Sequence, residues 1–105
     1  MTPIRHIALP DDWAAAGDEY RMSTRGVTLE DEGFIHCSYE HQLQGVLDAF
    51  YADVDEVLIL TIDPTGLDVR DEPPAPGVGV LFPHVYDPIP RSTVIDIERR
   101  RPARA

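Results

Sequence analysis

Val57-Leu58-Ile59-Leu60-Thr61-Ile62 is the stretch that decides the fold. Five of its six side chains are apolar, so apolar residues would point to both faces of the strand that it predicts. Such a strand is typical of the centre of a sheet that is covered on both sides. The turn residues Asp63-Pro64-Thr65-Gly66 follow it and predict its end.

The segment before this strand predicts the main helix. Its apolar side chains recur at helical spacing and form one stripe that can pack against a sheet; they are Leu43, Val46, Leu47, Phe50 and Tyr51. Ser38 is a suitable N-cap residue for this helix. A short N-terminal helix is predicted to begin at Pro10-Asp11-Asp12 and to end near Gly17.

Shorter strands are expected around these two elements, at 4–9, 33–38, 67–70, 80–86 and 92–97, with an irregular segment at 18–33 that contains a short strand near 20–22. The hairpin-like spacing after residue 56 favours antiparallel pairing. The sequence therefore predicts one α+β domain over residues 1–98, with a small mixed, largely antiparallel sheet. The arginine-rich segment 99–105 is expected to be a disordered C-terminal tail.

Composition narrows the possible partners. The chain has 105 residues and a formal net charge of -10, and every basic residue is an arginine. All 19 acidic residues lie at or before Glu98, where only five arginines accompany them. A surface of this charge repels phosphate backbones, so we expect no broad nucleic-acid binding.

The remaining sequence features favour a cytoplasmic protein. No apolar run reaches the roughly 18 residues that a membrane-spanning helix needs, and the N-terminus lacks the apolar stretch of a signal peptide. Cys37 is the only cysteine, so the chain has no internal disulfide. We expect no membrane association and favour a monomer, although the oligomeric state stays open.

Three of the four histidines lie in the middle of predicted strands. Because side chains alternate between the faces of a strand, His36 shares a face with Phe34 and Ser38, and His84 shares one with Tyr86. A neutral imidazole in a core needs partners for its nitrogens. Several imidazoles in one cleft are typical of acid–base or ligand-orienting sites near neutral pH. For each of these histidines considered alone, a purely structural role is the alternative.

We therefore expect a histidine-lined cleft. The predicted catalytic residues are His6, His36, His84 and Glu72, and the predicted ligand contacts are Ser38, Tyr86, Arg25 and Phe34. No metal ligand set is predicted, because the chain has no paired-cysteine zinc pattern and its histidines are widely spaced. Glu72 and its charged neighbours have the alternative of a solvated surface cluster. His41 is expected on the surface and Cys37 in the core.

The chain resembles an uncharacterised bacterial family, the domain of unknown function 952. The blocks that carry the resemblance are Arg5-His6-Ile7, Gly33-Phe34-Ile35-His36-Cys37-Ser38 and Phe82-Pro83-His84-Val85-Tyr86. Asp87 stands where the family usually has glycine. The family is thought to be distantly related to the ADP-ribosyltransferase fold. That relation implies that His6 holds the ribose of an NAD substrate and that a late acidic residue orients the reacting sugar.

Three functions follow as hypotheses. The first is an enzyme or binder of the ADP-ribosyl type, acting on NAD, ADP-ribose or a phosphorylated nucleotide-type ligand, with NAD as substrate rather than as resident cofactor. The second is a non-catalytic binding or regulatory module. The third is a metal-dependent hydrolase that uses the histidines. A small-molecule ligand is expected, and for the binding module the acidic surface would also suit a basic or neutral partner.

Overall fold

The computed structural model describes residues 2–104, except for the side chain of Arg104. Its strands are β1 (Ile4–Ala8), β2 (Glu19–Tyr20), β3 (Met22–Thr24), β4 (Val27–Thr28), β5 (Ile35–His36), β6 (Val57–Ile62), β7 (Val69–Glu72), β8 (Phe82–Val85), β9 (Ile89–Pro90) and β10 (Val94–Arg100). Its helices are α1 (Pro10–Ala15), α2 (Leu29–Glu32) and α3 (Glu40–Phe50). The predicted α+β class is confirmed.

The central sheet has the order β1-β6-β10, and both of its pairings are antiparallel. Strand β6 lies in the middle, as its sequence predicts, and five of its six residues are buried. One apolar cluster covers each side. Leu58, Leu60 and Ile62 face the first cluster, and Val57 and Ile59 face the second, where Leu43 and Leu47 of α3 pack.

A second three-stranded sheet has the order β5-β8-β7, and it is also antiparallel. One face is apolar and contributes the buried side chains of Ile35 and Val85 to the core. The opposite face carries the alternate residues, so His36 and His84 stand directly across from each other. Strand β8 continues through Pro83, because the carbonyl of Pro83 accepts a hydrogen bond from the backbone N–H of Cys37.

The predicted antiparallel pairing is confirmed, but the prediction of a single sheet was wrong. Within residues 2–104 the strands form four separate sheets, and every pairing among them is antiparallel. The supposedly irregular segment 18–33 contains β2, β3, β4 and α2. These elements are two to four residues long, too short for hydrophobic periodicity to reveal. Helix α2 ends at Gly33, whose φ of 93° is in the left-handed region that suits glycine.

Two local predictions also need correction. The main helix begins after Tyr39 rather than after Ser38, because the Gln42 side chain accepts a hydrogen bond from the Tyr39 N–H. Arg99 and Arg100, which the sequence analysis places in the C-terminal tail, belong to a strand. Strand β10 continues through Arg100 along β6, and 102–104 form a 3-10 turn. Ala105 lies outside the described residues. No helix in the described part of the chain is long and apolar enough to cross a membrane.

Candidate functional site

A cavity of about 470 Å³ lies between β1, β3, β5 and the end of α3. The loop between β7 and β8 contributes Pro74, Ala75 and Val78 to its lining. Most of the wall is carbon, and its aromatic residues include Phe50 and Tyr51 at the end of α3 and Phe82 of β8. Small-molecule sites are of this size and carry a few polar groups in a mainly apolar wall.

Arg5 brings a positive charge to this cavity. It shares a face of β1 with Ile7, and Ile7 packs against α3. The arginines at positions 21, 25, 70, 99 and 100 each form an ion pair. Arg5 has no carboxylate within ion-pair distance among residues 2–103. It is therefore a cation available to a bound anion.

Four hydroxyl-bearing residues line the cavity: Ser23, Thr24, Ser38 and Tyr51. Ser23 donates its hydroxyl to the Phe34 carbonyl, and the Thr24 hydroxyl is 3.1 Å from the Tyr51 hydroxyl. The backbone of Ser38 exchanges two hydrogen bonds with Arg5, each 2.7 Å long. Its side-chain hydroxyl has no protein partner in the described part of the chain, so the predicted contact Ser38 can still bind a ligand.

His6 does not have the freedom expected of a catalytic residue. It is 2% exposed. Its Nδ1–H donates to the His36 carbonyl at 2.7 Å, and its Nε2 then accepts from the Tyr20 hydroxyl at 3.0 Å. Burial lowers the pKa of His6 to about 4, so the ring is neutral near pH 7. With both nitrogens occupied, His6 can hold β5 and Tyr20 in place but has no free nitrogen for proton exchange.

His36 is the half-exposed histidine of the cavity wall, and 32% of its side chain is accessible. Its Nε2 is 2.8 Å from a carboxylate oxygen of Glu32, at the end of α2. The chain turns at Gly33, so the Glu32 carboxylate reaches the ring of His36, which lies four residues later in β5. A carboxylate that accepts a hydrogen bond from one ring nitrogen fixes the tautomer of the neutral ring and leaves a lone pair on the other nitrogen.

His84 and Glu72 form a second imidazole–carboxylate pair on the same sheet face. The Nδ1 of His84 is 2.9 Å from a Glu72 oxygen, and the Tyr86 hydroxyl donates to that same oxygen. The Tyr86 and His84 hydrogen bonds hold the pKa of Glu72 below its usual range. His84 is 1% exposed, and its Nε2 is a buried nitrogen with no partner in the described part of the chain.

Phe34 covers this second pair. Its ring stacks on His84, with the ring centres 4.0 Å apart, and it contacts His36 edge-on at 4.8 Å. Tyr86 lies 5.5 Å from Phe34 and carries the Arg70 guanidinium above its ring at 4.1 Å. Neither aromatic side chain lines the cavity. The predicted ligand contacts Phe34 and Tyr86 are therefore not part of the cavity lining in this structure.

Arg25 lies next to the cavity without lining it. Its guanidinium donates to the Phe50 carbonyl and to both carboxylate oxygens of Asp53. These bonds engage the charge that was expected to meet an anionic ligand. Arg25 therefore stays a predicted ligand contact that already has a carboxylate partner, whereas Arg5 lines the cavity with no such partner within residues 2–103. No local pattern could have shown this, because the partner of Arg25 is 28 residues away.

The structure brings the three predicted histidines together. The His36 and His84 rings are 5.2 Å apart, and His6 is hydrogen-bonded to the backbone of His36. Of the predicted site residues, His6, His36 and Ser38 line the cavity, whereas His84, Glu72, Tyr86 and Phe34 do not. His41 is exposed and Cys37 is buried, and burial raises the pKa of the Cys37 thiol well above its usual range.

Metal binding gains no support from this arrangement. In the described part of the chain, no group of three or more His, Cys, Asp or Glu side chains is arranged to hold a metal ion. The two imidazole–carboxylate pairs are each formed by one histidine and one glutamate.

Comparisons with known proteins agree on the family and the fold. The model of a family described as protein of unknown function (DUF952) matches residues 7–97. A crystal structure of protein CC0527 from Caulobacter crescentus is similar, with a TM-score of 0.79, 27% sequence identity, and coverage of 93% of this chain and 85% of that one. A double mutant of the same protein gives the same values. Among curated proteins nothing matches. None of these findings names an ADP-ribosyltransferase, so the expected relation to that fold stays a prediction.

Proposed function

The chain belongs to the DUF952 family, whose description names no activity, and we propose from the cavity itself that it binds a small anionic ligand of the nucleotide type. NAD and ADP-ribose are the leading candidates. The observation that carries this proposal is the unpaired guanidinium of Arg5 in the wall of a mainly apolar cavity. A ligand that brings phosphate oxygens would supply the missing partner.

The cavity lining offers contacts for both parts of such a ligand. Arg5, Ser38 and His36 offer donors for phosphate or ribose oxygens. Phe50, Tyr51 and Phe82 offer aromatic surface on which a flat base can pack. Phe50 is 67% exposed. A large apolar side chain that is accessible beside a cavity is available for contact with a ligand.

The negative net charge of the chain strengthens the argument that Arg5 binds an anion. Because the formal net charge is -10, an anion meets repulsion over most of the surface. A site for an anion on this protein therefore needs a cation that is free of carboxylates. Within residues 2–103 the cavity has such a cation in Arg5.

Isothermal titration calorimetry tests the proposal. The wild-type chain is titrated with NAD, ADP-ribose, a short RNA with a 2′-phosphate, and adenosine as a ligand without phosphate. We expect heat with at least one of the phosphate-bearing ligands and much less with adenosine. Absence of heat with all three phosphate-bearing ligands would overturn the proposal.

A pair of arginine variants supplies the matched control. Arg5→Gln removes the charge from the cavity and should weaken binding by roughly tenfold or more, since a charged hydrogen bond contributes about 1.5–3 kcal/mol. Arg70→Gln removes an exposed arginine that is already paired with Asp68 outside the cavity. It should leave the affinity within about twofold of wild type. Equal losses in the two variants would contradict the assignment to Arg5.

The second candidate function is a non-catalytic binding module. It is favoured by His6, the histidine expected to act on the ligand, because both of its nitrogens are engaged. Incubation with NAD followed by chromatography distinguishes the two functions. Release of nicotinamide that depends on His36 supports an enzyme of the ADP-ribosyl type, whereas bound but intact NAD supports the binding module.

A further inference from the structure

Strand β10 is an exposed edge of the central sheet. It pairs with β6 along one side, and no strand in the described part of the chain pairs with its other side. The five central residues of β10 are all exposed. They include Ile95, which is 60% exposed, and Ile97, which is 46% exposed. A long edge strand with exposed apolar side chains is a template on which another strand can pair.

The opposite edge of the same sheet is not free in this way. Four of the five residues of β1 are buried, and the backbone of Arg5 exchanges two hydrogen bonds with Ser38. These bonds join β1 to the segment that follows β5. A strand that adds to the central sheet is therefore expected to add along β10.

The charges of β10 are separated along the strand. Asp96 and Glu98 come first, and Arg99 and Arg100 follow them. When two identical strands pair antiparallel, the first half of each lies beside the second half of the other. Acidic side chains of one copy then meet arginines of the other copy, which stabilises the pairing. Parallel copies in register would place like charges together. The strand is thus complementary to a second copy of itself in the antiparallel orientation.

Asp96 is the group that this pairing would satisfy. It is exposed and has no ion-pair partner among residues 2–103. Arg100 already binds Glu98 of its own strand at 3.0 Å. An exposed pair of this kind contributes little to stability, so the Arg100 guanidinium can be shared with a carboxylate of a second copy.

The net charge of the chain restricts which surfaces can bring two copies together. Because the formal net charge is -10, two copies repel each other over most of their surface. A surface for self-association therefore needs arginines placed opposite acidic residues. Strand β10 has both kinds of residue on one edge.

We propose that two copies of this chain pair antiparallel along β10 and form a continuous sheet of order β1-β6-β10-β10-β6-β1. Asp96 of each copy lies opposite Arg100 of the other. Glu98 lies at the two-fold axis, beside the arginines of both copies. Ile97 lies opposite Arg99 of the second copy, whose aliphatic stem packs against it. Two-fold symmetry makes every contact between unlike residues twice.

This inference goes beyond the proposed function and does not depend on it. None of the residues that line the ligand cavity belongs to β10. Failure of the ligand titrations would leave the pairing of two copies standing, and a monomeric chain would leave the ligand proposal standing.

Sedimentation equilibrium and light scattering of the wild-type chain, from micromolar to millimolar concentration, test the proposal. We expect the fraction of dimer to increase with concentration. A chain that stays monomeric at every concentration would overturn the proposal.

A charge exchange tests which surface is used. Asp96→Arg should raise the dissociation constant of the dimer by roughly tenfold or more, since both symmetric contacts become repulsive. The double variant Asp96→Arg, Arg100→Asp should restore the dimer, because it exchanges the two charges on either side of Glu98.

Asp11→Arg is the matched control for this exchange. It changes the net charge by the same amount at an exposed position in α1. By lowering the repulsion between copies it should leave association unchanged or slightly stronger. A response of Asp96→Arg that equals the response of the control would show that β10 is not the contact, and the proposal would fail.

Oxidative cross-linking tests the predicted register. Glu98→Cys places a thiol at the two-fold axis, and a disulfide between the two copies should form readily. Asp11→Cys is the control and should form much less of it, and the native Cys37 is buried. Equal cross-linking of the two variants would contradict the antiparallel pairing at Glu98.

Discussion

The two three-stranded sheets of this small protein differ in how their faces are covered. The β1-β6-β10 sheet has an apolar cluster on each side of β6. The β5-β8-β7 sheet has apolar packing on one face, while its other face holds two histidines and two glutamates in hydrogen-bonded pairs. The comparison teaches that one sheet supplies the stability that lets the other keep costly polar groups close together.

Truncation of a large side chain in the β1-β6-β10 sheet, which is covered on both faces, should lower the stability most. Leu60 of β6 is fully buried, and Leu60→Ala should lower the free energy of unfolding by about 2–5 kcal/mol, measured by urea denaturation. Ile97→Ala is the matched control on the neighbouring strand. Ile97 pairs with Leu60 across the sheet but is 46% exposed, so it should lose much less. Similar losses would show that β6 is not the main source of stability.

His6 joins the two sheets, and its titration should produce the second-largest effect. Its folded pKa of about 4 is below the ordinary value of 6.5, so the unfolded chain binds the proton first as the pH falls. The stability associated with neutral His6 is complete above pH 6.5 and is lost as the pH falls toward 4. The loss is about 3 kcal/mol.

Urea denaturation at several pH values measures this loss. His6→Phe removes the titrating ring, and the slope of stability against pH between 4 and 6.5 should decrease relative to wild type. His41→Phe, which changes an exposed ring, should keep the wild-type slope. An unchanged slope in the His6 variant would mean that the ring is not buried as a neutral group.

The smallest effect on stability is expected at the polar face. Tyr86→Phe removes the hydroxyl that donates to Glu72, which is the largest cause of the lowered pKa of that carboxyl. The pKa of Glu72 should therefore rise, as measured by carbon-13 NMR of its carboxyl group. The free energy of unfolding should change by only about 1 kcal/mol. A large loss of stability with an unchanged Glu72 pKa would contradict the conclusion that the β1-β6-β10 sheet supplies most of the stability.

Prediction from the sequence succeeded where a long pattern specified an element. The apolar run at 57–62 predicted β6 as a central covered strand, and the helical spacing in 43–51 predicted α3. In that stripe Leu43, Leu47 and Tyr51 are buried as expected, but Phe50 is exposed beside the cavity. Prediction failed over 18–33, where short elements carry no periodicity.

The candidate site was predicted by residue type but not by role. Strand alternation placed His36 and His84 on usable faces, and the structure makes them neighbours across β5 and β8. The sequence could not show that the Tyr20 hydroxyl and the His36 carbonyl bind the two nitrogens of His6. The sequence also could not show that Asp53 pairs with Arg25 while Arg5 stays unpaired, because both results depend on residues far apart in the sequence.

By itself, the sequence determined the α+β class, the covered central strand, the main helix and the set of histidines that the structure brings together. These follow from local spacing, which decides which side of a helix or strand a residue occupies. The tertiary structure decided which imidazole is enclosed, which one faces the cavity and which arginine keeps a free charge. Burial and hydrogen-bond partners set those roles, and they arise only when distant segments pack together.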